Sequence, residues 1–111
     1  MDDQRARDLL RAEVSRVRQL LDETTAAGQS DRATANEPGD INDPAERLTA
    51  EATDDAVATG LRERLAALTR AEQRLRDGTF GRSVRSGKPI PDDRLEADPA
   101  AELTVEEARA Q

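Results

Sequence analysis

Cysteine and histidine are both absent from the 111 residues. That excludes disulfides, thiol redox chemistry and a nucleophilic cysteine, together with the usual zinc ligands and imidazole acid–base catalysis. There is one Phe, and there is no Tyr or Trp, so the chain has neither a large aromatic core nor a stacking platform for single-stranded nucleic acid. Basic residues are outnumbered 17 to 24, which gives a net charge of −7. That balance argues against direct binding of nucleic acid through phosphate neutralisation. It suits approach to a basic surface or channel, where complementary fields speed encounter. No apolar run nears the roughly 20 residues that span a bilayer, and "MDDQRARDLL" is not a signal peptide. A cytoplasmic protein without membrane contact is expected.

What is present is Ala, Glu, Arg and Leu, with 37% charged residues, a composition that suits long amphipathic helices. Leu10, Val14, Val17 and Leu21 form one helical stripe within a helix expected over residues 2–25. Arg5, Arg11, Arg16 and Arg18 lie opposite it, on what is expected to be a solvated face. The aperiodic run "AAGQSDRATANEPGDIN" is expected to be a loop, about residues 26–43. A second helix is expected over 44–77, with Asp43 as N-cap, Pro44 at the first helical position and Glu46 bonding back to the cap. Its stripe runs through Val57, Leu61, Leu65, Leu68 and Leu75, Gly60 marks a close approach or a weak point, and Gly78 supplies the left-handed cap. Two helices with one apolar stripe each bury those stripes best as an antiparallel hairpin, a coiled coil over residues 1–78. An internal hairpin favours a monomer. The fold class is mainly α, with a small module over 79–111 that ends in a terminal helix.

The run "RDGTFGRSVRSGKPIPDDRLEADPAAELTVEEA" resembles the C-terminal zinc-finger module of the DksA/TraR family, which typically reads "DGTYGxCxxCGxxIPxxRLEAxPxAxxCxxC". Asp77, Gly78, Thr79, Phe80, Gly81, Gly87, Ile90, Pro91, Arg94, Leu95, Glu96, Ala97, Pro99 and Ala101 match. The four positions that hold cysteine in the family fall on Ser83, Ser86, Thr104 and Glu107, in the same register. The resemblance implies a long coiled coil before a zinc-finger-like base. Here that base is degenerate, because hydroxyls are poor zinc ligands at neutral pH and one carboxylate cannot complete a tetrahedral structural site. Zinc is therefore expected to be absent, and no other cofactor is expected. Compensation is expected from packing of Phe80, Val84, Ile90, Leu95, Leu103 and Val105. Hydroxyl-to-backbone bonds from Ser83, Ser86 and Thr104 add to it. Asp92 or Asp93 is expected to cap a short helix, and Thr104 with Glu107 has the spacing of a capping box.

Members of this family act on bacterial RNA polymerase, inserting the coiled-coil tip into the secondary channel. Their tip pattern resembles D-x-x-D-x-A, and here "DPAERL" puts Asp43, Glu46 and Leu48 at those positions, with Asp40 adding charge nearby. Asp43 and Glu46 are equally what helix capping selects. Arg82, Arg85, Lys88 and Arg94 are candidates for docking the base on an acidic rim, or are solubilising charge. The resemblance implies a non-enzymatic transcription regulator whose partner is RNA polymerase. The other reading is a helical interaction or scaffolding module that has lost that role. No nucleophile–base pair, phosphate loop or metal cluster points to an enzyme.

Overall fold

The computed structural model describes residues 1–35 and 44–110, and the side chains of 1–25 and 53–110. Helix α1 spans Asp3–Ala35, α2 Pro44–Asp77, α3 Asp92–Ala97 and α4 Val105–Arg109. No strand occurs among the described residues, only an isolated antiparallel bridge between Arg82 and Pro89. Nor is any helix there long and apolar enough to cross a membrane.

The first helix continues past Thr25, where a loop was expected to begin, as far as Ala35. Ala26, Ala27, Arg32, Ala33 and Ala35 are strong helix formers, and no proline intervenes before Pro38. Their summed propensity outweighs the roughly 1 kcal/mol cost of Gly28.

The chain divides into two compact units. One holds Met1–Ser15 with Leu65–Gln111, the other Arg16–Arg64. In the first, Ala6 and Leu10 of α1 and Leu68 and Ala71 of α2 are buried. The start of α1 lies beside the end of α2, with Arg7 and Leu10 across from Leu75 and Arg76. In the second, Val17 and Ala58 are the buried apolar side chains among the described residues. The expected α2 stripe is corrected there: Val57 is 47% exposed and Ala58 takes the inward position. Two adjacent apolar residues stand 100° apart on a helix, so only one can face the seam. Gly60 is exposed, and a Cβ built on it meets nothing within 4 Å, so close approach does not explain it.

Helix α2 stops in a Schellman turn. Gly78 has φ 81°, Thr79 N donates to Arg74 O at 2.9 Å and Gly78 N to Leu75 O at 3.3 Å. A glycine there carries the left-handed conformation without a Cβ clash. Beyond it, Ile90, Leu95 and Ala101 form a small core with Phe80 packed against it. Val84, expected inside, is 58% exposed. Pro99 and Ala100 are buried instead, while Leu103 and Val105 are half-buried.

Charge pairs fasten the C-terminal segment to the helices within the first unit. Arg5 makes a two-pronged contact with Glu96, Nε to Oε1 at 3.0 Å and Nη2 to Oε2 at 2.6 Å, so it is not simply part of a solvated face. Glu102 accepts from Arg70 Nε at 2.8 Å and lies 3.6 Å from Arg74 Nη1. Arg74 is largely buried, and its Nε and Nη2 have no protein partner. Desolvation accordingly pulls its pKa down, against the opposing pull of Glu102.

Candidate functional site

The four positions in register with the family's cysteines come together as one hydrogen-bonded cluster, assembled from two different local structures. Ser83 opens a tight turn. Its N–H donates to Lys88 O at 2.8 Å, and its carbonyl accepts from Gly87 N at 2.9 Å. Gly87 closes that turn with φ 75°. The Ser83 hydroxyl accepts from the N–H groups of Arg85 and Ser86 at 3.1 and 3.2 Å. Ser86 Oγ accepts from Lys88 N at 3.2 Å. Hydroxyls so placed satisfy amides that a tight turn would otherwise leave unpaired.

Thr104 and Glu107 begin α4 as a full capping box. Thr104 Oγ1 accepts from Glu107 N at 3.3 Å, and Glu107 Oε1 accepts from Thr104 N at 3.2 Å and from Thr104 Oγ1 at 2.8 Å. The spacing of these two residues foretells this arrangement. Helix α3, by contrast, has Pro91 as its N-cap and no side-chain cap bond; Asp92 and Asp93 lie in its first turn rather than at its cap. Pro91 presets φ at −58°, and with its extended ψ it makes a helix entry that needs no hydroxyl or carboxylate.

A side-chain bond joins the halves: Ser83 Oγ donates to Glu107 Oε2 at 2.9 Å. A backbone bond runs alongside it, Val84 N to Glu102 O at 2.8 Å. Both carboxylate oxygens of Glu107 are thus occupied. Burial pushes this carboxyl up, but donation from the Thr104 hydroxyl, the Ser83 hydroxyl and the Thr104 N–H outweighs it, with the least from Ser86. The result is a pKa brought down to about 2. Ser83 and Thr104 are 5% and 7% exposed, so their hydroxyls work where water competes little.

The basic candidates separate. Arg82, Arg85 and Lys88 are exposed around the first turn, with exposed Val84 among them. Arg82 spends one N–H on Gly87 O at 3.3 Å. Arg94 is half-buried and donates from Nε to Leu103 O at 3.0 Å, holding α3 to the segment before α4. It is a structural tie, which a long side chain on a short helix concealed. The tip candidates Asp40 and Asp43 lie outside the described residues, as does the Asp43 cap. Glu46 and Leu48 fall in the first turns of α2, but their side chains lie outside the described set. Among the described residues no group of three or more His, Cys, Asp or Glu is placed to hold a metal ion.

No family model matches the chain. General stress protein 16O of Bacillus subtilis (strain 168) is 44% identical over 59 residues, which is 53% of this chain and 36% of that protein. The chain thus spans little more than a third of the length of the curated relative it matches. Among solved structures, transcription factor DksA2 from Pseudomonas aeruginosa superposes with a TM-score of 0.84 at 23% identity, over 98% of this chain and 81% of that one. The fold is DksA-like.

Proposed function

We propose that this chain is a non-enzymatic regulator of transcription that binds bacterial RNA polymerase as a monomer. In this reading α1 and α2 form a coiled-coil hairpin that enters the secondary channel, and Asp43 and Glu46 bring carboxylates toward the catalytic metal region. The observation that carries it is the DksA-like fold, which extends over 98% of the chain and is not confined to the C-terminal segment. An acidic tip on a chain of net charge −7 suits a basic-lined channel, since the field steers entry and carboxylates perturb a metal-centred reaction without catalysing it. Exposed Arg82, Arg85 and Lys88 supply the opposite sign at the base.

The base itself works as a metal-free descendant of a zinc-finger-like module. Its donor set does not fit a structural zinc ion: three hydroxyls already serve backbone amides, and the carboxylate is taken up by two of those hydroxyls and an amide. Hydrogen bonds hold the two halves where four thiolates and a metal would.

Co-purification with RNA polymerase and promoter-dependent transcription in vitro test the proposal. The wild-type chain is expected to bind and to change transcript yield; Asp43→Asn with Glu46→Gln is expected to keep binding and lose the change in yield. Failure of the wild-type chain to bind would overturn the polymerase reading. Unaltered output from the double variant would reduce both acids to helix caps.

A further inference from the structure

The start of α1 and the end of α2 enclose a shallow groove that the polymerase reading does not use. It has a volume of about 200 Å³ and is lined by Arg7, Leu10, Arg11, Glu72, Leu75 and Arg76. Three guanidinium groups therefore meet around two leucines, on a chain whose net charge is −7. Arg7 gives one bond to Gln4 at 3.3 Å and Arg76 one to Gln73 at 2.9 Å. Arg11 and Glu72 take part in no hydrogen bond or ion pair among the described residues. Most of the groove's N–H donors consequently face solvent, although acidic partners are abundant along both helices.

We propose that this groove docks an acidic segment of a partner protein, carrying a leucine-like side chain flanked by carboxylates. Guanidinium forks match carboxylates in two-pronged geometry and shed water more readily than ammonium groups do. Half-buried Leu75, over buried Leu10, takes an apolar side chain between them. The mixed charge of the groove favours a peptide over a polyphosphate. At about 200 Å³ it lies below the roughly 300–1,000 Å³ of enclosed ligand pockets and suits side chains laid across a surface. Glu72 repels a phosphate chain while accepting a backbone N–H or a lysine from a peptide. The inference is independent of the polymerase reading and stands or falls on its own.

The test is an amide-shift titration of the full chain by NMR. The probe is an acetylated, amidated ten-residue peptide of alternating Leu with Asp or Glu. Shifts are expected at residues 7–11 and 72–76. Arg11→Glu combined with Arg76→Glu is expected to weaken binding about tenfold or more, as like charges then face each other. Arg62→Glu, also on an exposed arginine of α2, is expected to stay within about twofold by the same reasoning about local charge. Circular dichroism verifies that each variant is folded, and Arg11→Gln, which only removes charge, is expected to fall between wild type and the double variant. Absence of shifts at millimolar peptide overturns the proposal, as do shifts confined to other residues or an equal loss with Arg62→Glu. Tripolyphosphate giving the same shifts at lower concentration than the peptide would also overturn it, in favour of a phosphate site.

Discussion

Two stretches of identical spacing, Ser83-x2-Ser86 and Thr104-x2-Glu107, solve the same local problem by different means. In the first, the hydroxyls cap backbone amides of a turn that bends back within five residues, from Ser83 N to Lys88 O. In the second, hydroxyl and carboxylate cap the first turn of a helix. The first stretch is complete without its partner, whereas the second supplies the charge that links them. The cross-link rests on Ser83 more than on Ser86, through its hydroxyl bond to Glu107, and Glu107 carries both the helix cap and the bridge.

The largest expected effect comes from the small core of the segment that carries both stretches. Leu95 is 1% exposed there, with Ile90 and Ala101, so Leu95→Ala should cost about 3 kcal/mol in urea unfolding. A loss below about 1 kcal/mol would mean that this core contributes little to the segment's stability. Next comes the asymmetry itself. Ser83→Ala leaves two amides and one carboxylate oxygen short of a partner and should cost about 2 kcal/mol. Thr104→Ala removes a helix cap and should cost about 1 kcal/mol. Equal losses, or the reverse order, would break the comparison.

The smallest effect under ordinary conditions, and the sharpest in acid, concerns Glu107. Its folded pKa is depressed from 4.5 to about 2, so its stabilising share is fully present above pH 4.5 and fades as the pH falls towards 2. Glu107→Gln should therefore be less stable than wild type at neutral pH, with the gap in melting temperature narrowing through that acid window. A gap that stays constant across the window would detach the carboxylate charge from the link between the halves.

What the sequence made legible was local. Gly78 after Asp77 announces the Schellman turn, and Thr104 three residues before Glu107 announces the capping box, because both motifs close within a few residues. The register of Ser83, Ser86, Thr104 and Glu107 was readable through the family resemblance. The bond from Ser83 to Glu107 spans 24 residues and has no local signature. Arg94 and Arg5 escaped for a related reason: long flexible side chains on exposed-looking helix positions reached inward or across to partners fixed only by the tertiary fold. Val57 and Ala58 show the limit of periodicity, since neighbouring apolar residues compete for one seam position and packing makes the choice. The extension of α1 to Ala35 shows alanine content prevailing over scattered loop-type residues.

Hydrogen bonds to the Glu107 carboxylate, and not a metal ion, are expected to hold the two stretches together. Thermal unfolding of the purified chain before and after exhaustive dialysis against EDTA tests this most directly. Superimposable curves are expected. A lower midpoint after dialysis, restored by stoichiometric zinc, would contradict it.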